Sequence, residues 1–326
     1  MNKTLKILAI GLITVLVLIV ALVAYLGFAF DPNQFKSQIA QIVLEKKQRT
    51  LAIEGDIALR FFPKIGVDLG KTSLSERHSA EPFATLESAR VSLALLPLLR
   101  SKLVIDKVSL RGLNLHFQRN EKGESNIDDL LSKERDSDDL KNAQNEKKLQ
   151  FDIEGIELAN ANIQVSDAQT KFTGALKNLQ MTSGRLADNT PTTIQLSSHL
   201  VSQEKASINT DAQLELNTGL RFDLAAQEFD LNKFSLRLEG LVQGNKLKLN
   251  VKAPQLQMTP KELAFNITGL EANLQTHLIQ GDADLSLSAP RIAIDKTKAS
   301  SDKISASMTM VGAQNLSVKL NTSAIT

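Results

Sequence analysis

The chain has 326 residues, a formal net charge of +2 and no cysteine. Near-neutral charge leaves none of the basic footprint that nucleic acid demands, and the missing thiols remove disulfides, thiolate nucleophiles and cysteine-based zinc sites together. Hydrophobic residues make up 42% but aromatic ones only 4%, with one Tyr and no Trp, so the apolar surface is aliphatic and cannot build the aromatic girdles of a transmembrane β-barrel.

Residues 1–6 form a short tail carrying Lys3 and Lys6, and from Ile7 to Phe30 no side chain is charged. A helix needs about 20 apolar residues to cross a bilayer, whereas the apolar core of a cleaved signal peptide is usually only about 7–15 residues long. Residues 7–30 therefore read as an uncleaved transmembrane anchor. Positive charge before it and Asp31 after it put the N-terminus in the cytoplasm. In a Gram-negative cell this is a single-pass inner-membrane protein with its body in the periplasm.

Asp31 and Pro32 open a short amphipathic helix as cap and first helical residue, with Phe35, Ile39, Ile42 and Val43 as its apolar stripe. The stripe reads as a packing face. The period then switches to two: Leu51 and Ile53, Ile57 and Leu59, Val67 and Leu69, Val91 and Leu93, Leu103 and Ile105, Val108 and Leu110, and Leu113, Leu115 and Phe117 alternate with polar residues as half-buried strands. Residues 132–148 are charged and nearly devoid of apolar side chains, the composition of a solvated loop. From 149 to 326 the chain is almost all alternating strand, with hairpin turns expected at Gly244-Asn245 and Gly281-Asp282. A weak repeat runs through this part: an apolar residue, Ala two later, then apolar residues five and seven later. It occurs at Leu224-Ala226-Phe229-Leu231, Val251-Ala253-Leu256-Met258 and Leu287-Ala289-Ile292-Ile294.

An alternating strand has one apolar face that must be covered, and no convincing amphipathic helix follows Leu149 to cover it. Two solutions are open: a two-sheet sandwich, or a curled groove whose apolar inside holds an apolar guest. In the second, acyl chains would lie against Leu214, Leu216, Phe222, Leu224, Leu236, Leu238, Leu247, Leu249, Val251, Leu285 and Leu287, the face being assumed from alternation. No residue pattern suggests an enzyme, a metal or a cofactor. His78, His116, His199 and His277 show no ligand or triad spacing, and there is no GxSxG, Walker loop or HExxH.

Six motifs in order behind the apolar run carry a resemblance. They are Asp31-Pro32-Asn33-Gln34-Phe35-Lys36, Ile53-Glu54-Gly55-Asp56-Ile57, the segment Phe62-Pro63-Lys64-Ile65-Gly66-Val67-Asp68-Leu69-Gly70, Pro82-Phe83-Ala84, Leu95-Leu96-Pro97-Leu98-Leu99, and the stretch from Arg119 to Leu131 that includes Gly123, Asn126 and Asp129. Residues 1–131 resemble the N-terminal region of the AsmA family of bacterial envelope proteins. Gly55, Asp56 and Gly66 suit bends in a sheet and Pro97 breaks an apolar patch. This sequence departs from the family at Gln48-Arg49-Thr50, where Thr-Gly-Arg is common, and at Ile127, where an aromatic is common.

The resemblance implies a mainly β protein, an elongated curled antiparallel sheet behind the anchor and the short helix. It also implies phospholipids as cargo, conducted between inner and outer membranes in support of outer-membrane biogenesis, with envelope proteins as partners and no catalysis. Fifteen to twenty strands at roughly 4.8 Å spacing would stack to about 70–95 Å. The alternative function is a chaperone-like envelope protein that pairs with outer-membrane protein strands by its sheet edge, without a lipid cavity.

Overall fold

The computed structural model describes residues 31–60, 64–93, 105–131, 152–202, 208–312 and 315–324. The expected anchor (7–30), the tail before it, Pro63, Pro97 and the charged segment 132–148 lie outside these residues. Among the described residues no helix is long and apolar enough to cross a membrane.

Asp31 Oδ1 accepts from Asn33 N at 2.9 Å and opens a 3-10 turn, Pro32–Phe35, that runs into α1 (Lys36–Lys47). Gln48 ends α1 in the left-handed region (φ 56°), its N–H donating to Leu44 O. The stripe expected to pack is turned partly outward. Lys36, Ala40, Val43 and Lys47 are the half-buried residues of α1, and Phe35, Ile39 and Ile42 are exposed. Helical spacing puts the two sets about 100° apart.

All the strands of the described residues belong to one large sheet. Its first part comprises β1 (Leu51–Ile53), β2 (Ile57–Arg60), β3 (Ile65–Leu69), β4 (Thr72–Ser75), β5 (Pro82–Leu86), β6 (Ser88–Leu93), β7 (Ile105–Arg111) and β8 (Asn114–Arg119). These are four long strands, each bent in the middle: β2 pairs β3 as β1 pairs β4, β3 pairs β6 as β4 pairs β5, and β6 pairs β7 as β5 pairs β8. At Gly112, between β7 and β8, φ is +64° and a Cβ would lie 2.3 Å from the Glu87 side chain, so only glycine fits the bend. After α2 (Asp128–Leu131) the chain returns through β9 (Asp152–Ile153) to β10 (Ile156–Asp167), which lies parallel to β7 and β8. The sheet is therefore mixed, not antiparallel as expected. The long connection from 120 to 155 is what permits a parallel neighbour.

The second part is a meander: β11 (Phe172–Ser183), β12 (Leu186–Ala187), β13 (Thr192–Ser202), β14 (Thr210–Asp223), β15 (Glu228–Val242), β16 (Asn245–Thr259), β17 (Ala264–Leu278), β18 (Gly281–Ile294), β19 (Ala299–Ser301), β20 (Ser305–Gly312) and β21 (Leu316–Asn321). The β15–β16 turn is Gln243-Gly244, both with positive φ, and the β17–β18 turn is Ile279-Gln280. Asn245 and Gly281 instead begin strands, so both hairpin expectations were displaced toward the C-terminus. A single sheet also replaces the two-sheet sandwich that composition left open.

Two creases bend this sheet. One crosses β10 and β11 at Asn160 (φ 54°) and Asn178 (φ 51°). The other crosses β15 at Lys233 (φ 51°) and β17 at Gly269 (φ 65°), beside Pro254 of β16 and Pro290 of β18. Each inserts one residue between apolar positions, so Leu158, Ala161 and Ile163 keep one face, as do Leu256, Ala253 and Val251. Straight strands beside the creases satisfy the displaced carbonyls with buried hydroxyls. Ser198 Oγ donates to Lys177 O at 3.0 Å, Thr218 Oγ1 to Asn232 O at 3.2 Å and Ser301 Oγ to Arg291 O at 2.9 Å.

Candidate lipid-facing surface

Residues opposite one another in neighbouring strands share a face. Starting at the β2 edge, the pairings connect Ile57, Leu69, Ala89, Leu110, Leu158, Met181, Leu196, Leu216, Leu236, Val251, Ala272, Leu287, Ala306 and Leu320. This row crosses fourteen strands without one polar side chain, and at roughly 4.8 Å per strand it is about 60 Å long. It runs between the two creases. A second row, Leu214, Leu238, Leu249, Leu274, Leu285, Met308 and Val318, lies beside it on the same face. Leu247 and Ala283 stand in a third row, opposite Thr276. Phe222 faces Phe229, which faces Met258.

Every residue proposed from sequence as lipid-lining thus stands on this face, with one exception. Leu224 belongs to the turn between β14 and β15 and is 53% exposed. The first copy of the repeat spans that turn and is a chance match. The other two copies have a physical meaning: strand face, crease, strand face.

The opposite face is polar and laced with cross-strand ion pairs. Asp68 of β3 accepts from Arg60 of β2 and from Arg90 of β6, Lys107 pairs with Glu157 at 2.5 Å, and Arg221 pairs with Asp230. The sheet is amphipathic over its whole width.

The apolar face has little covering. Among the described residues the cluster of buried apolar side chains is Leu158, Ala161 and Leu179, with Leu110, Leu113, Ile163, Met181 and Leu196 around them. From β14 onward the buried apolar residues are alanines at 212, 253, 283 and 289, and Phe222, whereas the leucines between them are half-buried or exposed. Exposure grows toward β21, reaching 64% at Leu320. A hollow of about 350 Å³ lies on this face, bounded by Leu274, Leu285, Leu287, Met308, Val318 and Leu320 among others.

The β2 end of the row is held by the family-type motifs. Asn33 behaves as a strand partner for Ile57: its Oδ1 accepts from Ile57 N at 2.9 Å and its Nδ2 donates to Ile57 O at 3.3 Å. Gly55 packs against Gly70 and Gly66 against the Val91 carbonyl, closer than a Cβ would allow. Asp56 pairs with Lys36 of α1 at 3.7 Å.

Arg49 is the residue that sequence reading missed. It is fully buried, stacks over Phe83 at 4.6 Å, and donates Nε and Nη2 to the two Asp129 oxygens at 2.7 Å and Nη1 to Ser75 O at 2.9 Å. Its hydrogen bonds hold the Asp129 carboxyl below the ordinary range. Asn126 completes the lock, donating Nδ2 to Glu76 Oε1 and His116 O and accepting at Oδ1 from Gln118 N. Gly123 turns the preceding loop with φ +87°. These are bonds between protein groups. Among the described residues no group of three acidic, His or Cys side chains could hold a metal ion.

The sequence pattern of the AsmA family matches residues 1–325. The chain belongs to the AsmA family. Protein AsmA of Escherichia coli (strain K12) is 24% identical over 293 residues, which are 85% of this chain and 44% of that protein. This AsmA-family chain therefore spans less than half the length of that relative. No solved structure matches it. Membership of the AsmA family suggests an envelope-related function.

Proposed function

We propose that the apolar face is a lipid groove, curled about acyl chains, through which phospholipids pass between the inner and outer membranes without any chemical step. The observation that carries this reading is the fourteen-strand aliphatic row with no second layer over it among the described residues. A soluble domain ordinarily buries such a face. Acyl chains are chemically matched to Leu, Val and Ala, and each CH₂ taken from water is worth about 0.8 kcal/mol. The row repeats nearly equivalent contacts at every strand, so a chain can be sheltered throughout yet move from one position to the next. Head groups remain in water along the open side. Residues 7–30 would anchor this groove in the inner membrane, with the body in the periplasm.

The test is photocrosslinking in cells, with the probe at Leu249 on the apolar face and then at Lys248 on the other. Phospholipid adducts at 249 and not at 248 are expected. A folded, anchored protein with no lipid at either position overturns the reading.

A further inference from the structure

Ile39 and Ile42 of the apolar stripe are turned away from the side by which α1 meets the domain. α1 is moored by its other side: Val43 and Ala40 are half-buried, Lys47 Nζ donates to Asp129 O at 3.1 Å and Lys36 Nζ lies 3.7 Å from Asp56. Ile39 and Ile42 point away, 39% and 53% exposed.

Position in the chain says what covers them. The uncharged run 7–30 ends one residue before Asp31, and only Asp31 and the 3-10 turn separate it from α1. Five residues reach at most about 18 Å, so α1 begins within about 18 Å of a bilayer that residues 7–30 cross.

We infer that α1 lies flat in the head-group region of the membrane, with Ile39 and Ile42 among the outermost parts of the acyl chains. This rests on the anchor in the proposed function but goes beyond it. It sets the β2 end of the aliphatic row, held by Asn33 at Ile57, at the bilayer surface, where a lipid would enter.

The chain has no cysteine, so Ile39→Cys, Ile42→Cys and Gln41→Cys each accept one label in the full-length protein. The probe is an environment-sensitive fluorophore. The membrane is a vesicle of phosphatidylethanolamine and phosphatidylglycerol, with and without a lipid carrying a quencher on its acyl chain. Labels at 39 and 42 should shift to the blue and lose at least half their emission to the quenching lipid, while a label at 41 changes little. Labels at 39 and 42 that stay wet, or that are sheltered without being quenched, in protein that floats with the vesicles, overturn this inference and leave the anchor standing. Protein that does not float overturns both.

Discussion

Arg49 ties together the end of α1, β4, β5 and α2. A guanidinium with no access to water is tolerable because Asp129, Glu76, the Ser75 and Asn126 carbonyls and the Phe83 ring meet it together. Arg49→Met leaves the Asp129 carboxylate without its cation and should lower stability by about 3–5 kcal/mol in denaturant titrations followed by circular dichroism. Asp129 adds a pH signature. Its folded pKa is lowered chiefly by the Arg49 hydrogen bonds, so its contribution is complete above the ordinary carboxylate value of about 3.9 and is lost as pH falls through the lower folded value. Asp129→Asn should therefore flatten the acid limb of the stability curve below about pH 4. Asp129 stands out in the Asp128-Asp129 motif, but its partner lies 80 residues away in sequence. The family's Thr-Gly-Arg marks the neighbourhood of Arg49 but not its burial, because burial of a charge is decided by what folds over it.

At the scale of elements, the creases decide how far the sheet can bend while keeping one oily face. A crease strands a carbonyl, and the neighbouring straight strand supplies a hydroxyl. Thr218→Val removes the donor to Asn232 O while keeping the shape, and should cost about 1–3 kcal/mol in the same titration. Gly269→Ala should also destabilise, by about 1–2 kcal/mol, since φ there is +65° and the new Cβ would press on Pro254 at 3.0 Å. The strands themselves were legible, because a period of two is a local property. The creases were half legible: the Ala-Pro copies on β16 and β18 record one. Its other half is Lys233 and Gly269, which share no residue type. α1 was legible as a helix but not in its orientation. An apolar stripe says that something apolar covers it, not whether that cover is the domain or a membrane.

At the scale of the molecule, the described strands form one amphipathic sheet whose apolar row continues from Ile57 to Leu320. Its continuity depends on register, which no single strand encodes, and so only the pairings disclose it. If the row conducts lipid, Leu236→Asp near its middle should abolish lipid crosslinks at Leu249 and Leu287 while the protein still folds, read by adduct yield and circular dichroism. A sheet lacking an opposing layer has a mechanical consequence. Each strand beyond β11 is stabilised by the strands on either side and by little else, so cooperativity decays along the sheet as in a one-dimensional array. The end carrying β20 and β21 should fray first and exchange its amide protons fastest. Deleting that hairpin should shorten the protein without unfolding it. Length is then a freely adjustable property of this architecture: hairpins can be gained or lost in pairs of strands, and the same building rule serves a short conduit or a long one.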